Sequence, residues 1–166
     1  MRIEQLMSQP AITCTANDTL STAAQLMWEH DCGVMPVVGT DGRLTGILTD
    51  RDVCMAAYTR GQPLHEIQVS TAMSTQVFSC SPQESIDAAE RLMSKMQVRR
   101  VPVVDRDNRP IGVLSLNDLA RNAAASRSRN GLDRETVETL AAICQPRTRP
   151  PQIVHMAGPA PMPTGM

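Results

Sequence analysis

Apolar positions change their spacing in a fixed order along the first 60 residues. Short β-prone pieces alternate with segments whose apolar residues recur at i, i+3, i+4 and i+7, as on one face of a helix. In order, the segments are a β-prone piece at 11–14, a helical face made of Leu20, Ala23, Ala24 and Met27, a β-branched strand at 34–38, a polar turn at 40–43, a returning strand at 44–48 and a helix from Thr49. Thr19 is a predicted helix N-cap. The pattern therefore predicts a β-α-β-β-α unit.

The same order recurs 66 residues further along the chain. The second set comprises a β-prone piece at 77–80, a helical face made of Ile86, Ala89 and Met93 behind the N-cap Ser85, a strand at 100–104, a turn at 106–109, a strand at 110–114 and a helix from Ser115. The stretch GILTDRD at 46–52 returns as GVLSLND at 112–118. Self-similarity at a fixed offset indicates a duplicated structural unit.

The duplication sets the domain organisation. We predict a first repeat at 1–60, a linker at 61–72, a second repeat at 73–126, an extension at 127–146 and a mobile, proline-rich tail at 147–166. The linker is polar and is expected to cross the surface, with Gly61 and Pro63 ending the first repeat. Within the extension, residues 132–145 form a predicted helix that docks on its own module, a dimer mate or a partner.

The fold class follows from what one unit leaves uncovered. A single three-stranded sheet with helices on one face exposes its other face, so it is marginal alone. Two units packed sheet to sheet about a pseudo-twofold axis would cover each other. We therefore expect an α/β (α+β) fold of two tandem repeats, followed by a C-terminal helix and a flexible tail.

The motif Thr-x-x-Asp or Ser-x-x-Asp stands where each returning strand becomes a helix. Thr49 with Asp52, and Ser115 with Asp118, match a capping box, in which hydroxyl and carboxylate satisfy the first backbone amides of a helix. The carboxylate also complements the positive end of the helix dipole. A structural role and a binding role both remain open for these aspartates on spacing alone.

The order of segments, present twice, resembles a tandem pair of cystathionine-β-synthase (CBS) domains, also called a Bateman module. The resemblance covers about residues 3–126 and rests on the sequence h-P-V-V, a turn, and G-h-h-[T/S]-x-x-D, where h is an apolar residue. It implies that adenosine-containing ligands (AMP, ADP or ATP, and in some members NAD or S-adenosylmethionine) bind as regulatory ligands in clefts between the repeats. No cofactor is implied besides such a ligand.

The resemblance also implies which residues bind. In the first cleft, Asp52 and Thr49 would contact the ribose, with Ile12, Thr13, Met35 and Pro36 near a base. In the second, Asp118 and Ser115 would contact the ribose, with Phe78, Ser79, Val101 and Pro102 near a base. A carboxylate can accept both vicinal hydroxyls, the motif glycine is expected to let the ligand approach the backbone, and helix N-terminal amides suit a phosphate.

The two copies differ in charge around the motif. Arg51 stands in the first copy where the second has Asn117, and Arg99–Arg100 precede the second h-P-V-V where the first copy has Gly33–Val34. An arginine before h-P-V often faces ligand phosphate in the family. A solvated surface position is the alternative for each arginine, and the sequence leaves open which cleft each one serves.

Composition argues against several other functions. A net charge of −1 and only three aromatic residues, Trp28, Tyr58 and Phe78, disfavour binding to nucleic acid. No apolar run has the length of a membrane span, and the first ten residues lack a secretory signal. Five cysteines without C-x-x-C spacing are expected to be reduced, small core residues. Neither the histidines nor the cysteines form a metal-ligating pattern.

Together these features predict a non-enzymatic sensor. We find no phosphate loop and no nucleophile with a base at a recognisable spacing. The expected protein is cytoplasmic, forms a homodimer through helices of the repeats, and transmits ligand occupancy to an unidentified protein target or to its own assembly. The alternative from a different class is a structural or protein-interaction pair that kept the fold without binding nucleotide.

Overall fold

The first repeat folds in the predicted order, with a shorter first strand. The computed structural model describes residues 1–125 together with residues 139, 140 and 142. The elements of this repeat are β1 (Cys14–Thr15), α1 (Leu20–Glu29), β2 (Val34–Val38), β3 (Leu44–Thr49) and α2 (Asp50–Arg60). Strand β2 lies between β1, which is parallel to it, and β3, which is antiparallel. As predicted, Thr19 caps α1 by accepting a hydrogen bond from the Thr22 amide, and Gly61 ends α2 in the left-handed region.

The second repeat reproduces the first at the same offset. It contains α3 (Ile86–Met96), β4 (Arg100–Val104), β5 (Pro110–Ser115) and α4 (Leu116–Ala125). Its predicted first strand is reduced to one parallel pairing of Cys80 with Val103. Even irregularities recur, because the β2–β3 and β4–β5 registers shift at equivalent valines, Val37/Val38 and Val103/Val104. The predicted tandem α+β fold is confirmed.

Each repeat completes its core with the segment that precedes the other repeat. Residues 2–8 lie against the second repeat, where Arg2 pairs with Ser85 and Ser8 pairs with Val113. The equivalent segment near residue 70 lies against the first repeat, where Gln68 pairs with Thr19 and Ser74 pairs with Ile47. The two repeats are therefore tied together by an exchange of leading segments.

The exchanged segments carry buried apolar side chains. Ile3 is fully buried in the second core with Ile86, Met93 and Leu114, whereas Val69, its repeat equivalent, is fully buried in the first core. Ile67 is buried there as well, and its carbonyl accepts a hydrogen bond from the Leu20 amide at 2.8 Å. The expectation that the linker only crosses the surface is wrong, because two of its residues complete a core.

The exchange also explains why the first strand of the first repeat is short. The Ala11 amide donates to the Ile111 carbonyl of the other repeat, and only from Cys14 does the chain pair with its own β2. Residues 11–13 thus cross the seam between the repeats, and this crossing leaves two residues for β1.

The motif glycines make room for the exchanged segments. A Cβ at Gly46 would lie 2.8 Å from Met73 Sδ and 3.1 Å from the Ser74 carbonyl oxygen. At Gly112 it would lie 2.8 Å from both Met7 Sδ and the Ser8 carbonyl oxygen. We expected these glycines to admit a ligand; instead each admits the backbone of the segment from the other repeat.

Most of the C-terminal extension and all of the tail lie outside the described residues. Residues 139, 140 and 142 are helical, which agrees with the helix predicted over 132–145. Thr139 is buried, and Leu140 packs against the core of the second repeat. The sequence left open whether this helix docks on its own module, a dimer mate or a partner. At Leu140 it contacts its own module.

Replacing the two motif glycines by alanine should have unequal costs. Gly112→Ala should lower the free energy of unfolding by about 1–3 kcal/mol, because the new methyl meets a backbone carbonyl that cannot move alone. Gly46→Ala should cost less, since the backbone carbonyl oxygen that its new methyl meets is farther away, at 3.1 Å rather than 2.8 Å. Urea unfolding of the two variants measures the difference.

A second substitution sharpens this test. Adding Met73→Ala to Gly46→Ala should recover part of the loss in a double-mutant cycle, whereas Met7→Ala should not rescue Gly112→Ala, because the Ser8 carbonyl stays in place. Equal costs for the two glycines, or rescue in both pairs, would contradict the crowding that we describe.

Candidate functional site

Asp52 forms a complete capping box at the start of α2. Its Oδ2 accepts hydrogen bonds from the Thr49 amide at 2.9 Å and from Thr49 Oγ1 at 2.6 Å, while the Asp52 amide donates to Thr49 Oγ1 at 3.2 Å. Within the described part of the chain, every hydrogen bond that reaches this carboxylate falls on Oδ2. The capping role is therefore real, and it uses one of the two oxygens.

Asp118 repeats the capping box but has further partners. Its Oδ2 accepts from the Ser115 amide at 2.8 Å and from Ser115 Oγ at 2.6 Å. Its Oδ1 lies against the Arg121 guanidinium, which donates to it, and 3.5 Å from Ser8 Oγ. The Asp118 side chain is only 3% exposed, so this carboxylate is buried and engaged at both oxygens.

Both motifs lie at the seam between the repeats. Residues paired across an antiparallel ladder point to the same face of a sheet, and Pro36 with Ile47 and Val34 with Thr49 face away from the helices. Ser74 of the exchanged segment pairs with Ile47 on this side, and Ser8 reaches Asp118 in the equivalent place. Each aspartate thus lies where a segment of the other repeat passes.

Two of the predicted base contacts lie in the cores instead. Met35 and Val101 are fully buried among the residues that pack under the helices, so their side chains point away from the seam. Their neighbours Pro36 and Pro102 occupy the opposite face of each strand, as the alternation of a strand requires. The two prolines thus face the seam, where both are buried.

The remaining predicted residues lie nearer the surface. Ile12 is half-buried and packs against the first core, and Thr13 beside it is also half-buried. Phe78 is half-buried and Ser79 is exposed on the equivalent segment. Arg51 and Asn117 are exposed on the first turns of α2 and α4. These side chains are accessible, and the described contacts do not join them to either aspartate.

Arg100 links the two repeats. Its Nη1 donates to the Gly33 carbonyl at 3.3 Å, across a separation of 67 residues. A Cβ at Gly33 would lie 2.6 Å from Asp50 Oδ2 and 3.0 Å from Arg100 Nη2, so both charged groups converge on this glycine. The Arg100 guanidinium is therefore held at the seam, between the starts of β2 and β4.

A cavity of about 260 Å³ opens beside Arg100. It is lined by Arg99, Arg100, Ser115, Leu116 and Asn117, a polar set with two cationic side chains. Known small-molecule pockets start near 300 Å³, so this cavity matches a phosphate or sugar better than a whole nucleotide. Asp118 is absent from its lining, although its capping partner Ser115 is present.

The described cysteines are buried at positions 14 and 80, half-buried at Cys32 and exposed at Cys54. Burial raises the pKa of Cys14 to about 12 and that of Cys80, its repeat equivalent, to about 11, with nearby Asp18 and Glu84 adding to the shifts. These two thiols stay protonated and act as small core residues, as predicted. Cys54 is exposed, so the prediction is wrong for it, and Cys144 lies outside the described residues.

The described part of the chain contains no group of three or more histidine, cysteine or acidic side chains arranged to hold a metal ion. Among the described helices, none combines the length and the apolar character that crossing a bilayer requires.

Sequence reasoning missed three residues of this region. Arg121 follows Asp118 by three positions on α4, a spacing at which oppositely charged side chains meet, so its partner could have been predicted. The sequence pattern gave no reason to single out Ser8 or Asp50. Ser8 contacts Asp118, which lies 110 residues away in the sequence. Asp50 lies against Gly33. Local patterns do not reveal contacts between residues so far apart in the sequence.

Comparison with known proteins agrees with this architecture. The family model for the CBS domain matches residues 3–58 and 68–125, one match for each repeat. The chain therefore belongs to the CBS-domain family, as a tandem pair of the kind that serves as a regulatory module. It is 37% identical over 126 residues to the CBS domain-containing protein YhcV of Bacillus subtilis (strain 168), covering 76% of this chain and 88% of that protein.

Solved structures give the same result. The CBS domain pair of protein MJ0100, in complex with 5′-methylthioadenosine and S-adenosyl-L-methionine, superposes with a TM-score of 0.70 at 26% identity, covering 76% of this chain and 98% of that one. Hypoxic Response Protein I, solved with two coordinated zinc ions, superposes with a TM-score of 0.65 at 31% identity, covering 73% and 98%.

The two capping aspartates should differ in their contribution to stability. Asp52→Asn should cost about 1 kcal/mol or less of unfolding free energy, as expected for a weakened cap. Asp118→Asn should cost about 1–3 kcal/mol, because it also removes the acceptor of a charged hydrogen bond in a buried place. Urea unfolding compares them, with Ser85→Ala, which removes only the cap of α3, as a control. Equal losses for the two aspartates would contradict the difference in their surroundings.

Proposed function

We propose that this CBS pair is a non-enzymatic sensor that binds adenosine-containing ligands at the seam between its repeats. The candidate ligands are AMP, ADP and ATP, with NAD and S-adenosylmethionine as further members of the class. Ligand occupancy would then be transmitted to a protein partner or to the assembly of the chain itself, in the cytoplasm.

The observation that supports this proposal is the placement of the two motif carboxylates. Each stands at a helix N-terminus on the seam, with a segment of the other repeat beside it. An ionised carboxylate has about four acceptor positions, and the cap of Asp52 uses only Oδ2. Its Oδ1 is suited to accept hydrogen bonds from the vicinal hydroxyls of a ribose.

Nearby residues suit the rest of an adenosine ligand. Arg51 and Arg100 are cationic groups for a phosphate. Ile12, Thr13, Phe78 and Ser79 are the residues of the predicted base contacts that have accessible surface, and Pro36 and Pro102 lie buried behind them on the seam-facing strand faces. The similar pair of protein MJ0100 binds 5′-methylthioadenosine and S-adenosyl-L-methionine, which favours the nucleoside as the shared part of the ligand.

Signal transmission follows from the position of the site. A ligand held between two repeats contacts both, so its binding free energy depends on how the repeats are placed relative to each other. Arg100 already bridges them through the Gly33 carbonyl. A ligand phosphate that draws Arg100 away would change this bridge.

The alternative is a structural or protein-interaction pair without nucleotide binding. The complete capping boxes favour it, because both aspartates have a role that needs no ligand. The two functions predict different responses to substitution, since a cap affects only stability.

If Asp52 binds the ribose, removing either partner of that hydrogen bond, the carboxylate or the ligand hydroxyl, should weaken binding. Asp52→Asn should weaken binding of ATP or 5′-methylthioadenosine by roughly 1.5–3 kcal/mol at its own site, the range for a hydrogen bond to a charged group. The 2′-deoxynucleotide should lose a similar amount on the unaltered protein. The two losses should not add when combined, because they remove one interaction from opposite sides.

Calorimetry measures these constants, and Ser85→Ala is the matched control because it removes a helix cap away from the motif. That control should leave binding unchanged. If ribo- and deoxyribonucleotides bind alike and Asp52→Asn changes only the melting temperature, the aspartate is a cap and the alternative function holds.

Homodimer formation is the second part of the proposal. Met55 and Tyr58 are neighbours on α2 and remain 47% and 67% exposed, respectively. We expect a second copy to cover them, because a twofold dimer is the commonest assembly. Light scattering at micromolar concentration should give a dimer mass that Tyr58→Glu reduces and Thr40→Glu, an equal charge change in the exposed β2–β3 turn, does not. A monomer before any substitution would refute this part.

A further inference from the structure

The two motif aspartates are equivalent in sequence but not in their surroundings. Asp118 is buried, and its Oδ1 is engaged by the Arg121 guanidinium, with Ser8 Oγ at 3.5 Å. Asp52 is half-buried, and its hydrogen bonds from the described residues all fall on Oδ2. The oxygen that capping leaves unused is therefore engaged in the second repeat alone.

The charged partner of Asp118 is missing from the first repeat. The repeat equivalent of Arg121 is Met55, which has no group that could donate a hydrogen bond to Asp52. The serine is present in both copies, but Ser8 Oγ lies 3.5 Å from Asp118 Oδ1, whereas Ser74 Oγ donates to the Gln76 carbonyl at 3.3 Å. Arg121 is thus the charged group that engages the second carboxylate and has no counterpart at the first.

Ribose binding at Asp118 has to displace this arginine. The hydroxyls of a ribose need an acceptor oxygen, and Oδ2 already receives the Ser115 amide and hydroxyl. The Arg121 side chain is 74% exposed, so it can swing into solvent without breaking a core. Displacement therefore costs one partly screened ion pair and leaves the fold intact.

We propose that Arg121 is a built-in competitor for the ribose hydroxyls at Asp118, so that the Asp52 cleft is the tighter adenosine site and the Asp118 cleft fills only when Arg121 is displaced. This inference rests on the proposed function. It assigns unequal affinities to two clefts whose motifs are the same, and it names the residue that sets the difference.

The test uses 5′-methylthioadenosine, because it has a ribose and no phosphate, so Arg121 cannot act on it through a phosphate. Calorimetry on the full chain carrying Asp52→Asn isolates the second site. Adding Arg121→Met, which installs the residue of the first repeat, should tighten that site by about three- to tenfold. Arg91→Met, which removes an exposed arginine from α3, is the matched control and should change nothing.

The reciprocal exchange keeps the inference testable if Arg121→Met folds poorly. Met55→Arg should weaken the first site by a similar factor, about three- to tenfold, by giving Asp52 the partner that Asp118 has. It is measured in an Asp118→Asn background, at a concentration where light scattering gives the same mass with and without Met55→Arg, because Met55 also lies on the proposed dimer face.

The outcomes distinguish a failure of the proposed function from a failure of this inference alone. If the unaltered chain and all variants fail to bind 5′-methylthioadenosine, ATP and S-adenosylmethionine, the proposed function falls and the inference falls with it. If binding occurs but Arg121→Met leaves the affinity of the second site unchanged, only the inference is overturned. If Arg121→Met weakens binding at that site, the inference is also overturned, and Arg121 is a ligand contact.

Discussion

The exchange of leading segments between the repeats is the constraint on which the rest of the structure depends. Ile3 completes the second core and Val69 completes the first, each fully buried. Full burial of such side chains contributes about 1.5–3 kcal/mol each. Neither repeat has a complete core without the segment that leads into the other, so the pair folds as one unit. The seam, the crossing residues 11–13 and the position of Ser8 beside Asp118 all follow from this exchange.

How much the sequence could predict depended on the range of the contacts. The period-3.6 pattern predicted α1 and α3, and short β-branched runs predicted the paired strands. The 66-residue offset predicted that the elements of one repeat recur in the other. Local patterns could not show that the Ile67 side chain belongs to a core, since its apolar neighbours are distant in sequence. The recurrence of an apolar residue at both Ile3 and Val69 was the available signal, and it was weak because it falls outside the regular elements.

In the candidate site too, local contacts were predictable from the sequence and distant ones were not. The capping boxes were predictable because their partners are three residues apart, and the structure has them as expected. The motif glycines were expected to admit a ligand, but they admit the exchanged segments. Both roles require a position without a side chain, so the sequence does not distinguish them. The burial of Met35 and Val101 followed from strand alternation, which could have assigned Pro36 and Pro102 to the seam before the structure was known.

The structure finally suggests how one carboxylate can serve both fold and function. Oδ2 of each aspartate holds the helix N-terminus through a backbone amide and a hydroxyl, so it is committed to stability. Oδ1 is not needed for the cap, and its surroundings are free to differ between repeats without disturbing the fold. Methionine at 55 and arginine at 121 are such a difference. A duplicated unit can thus keep an identical structural motif in both copies while the third residue after each aspartate sets how available its second oxygen is.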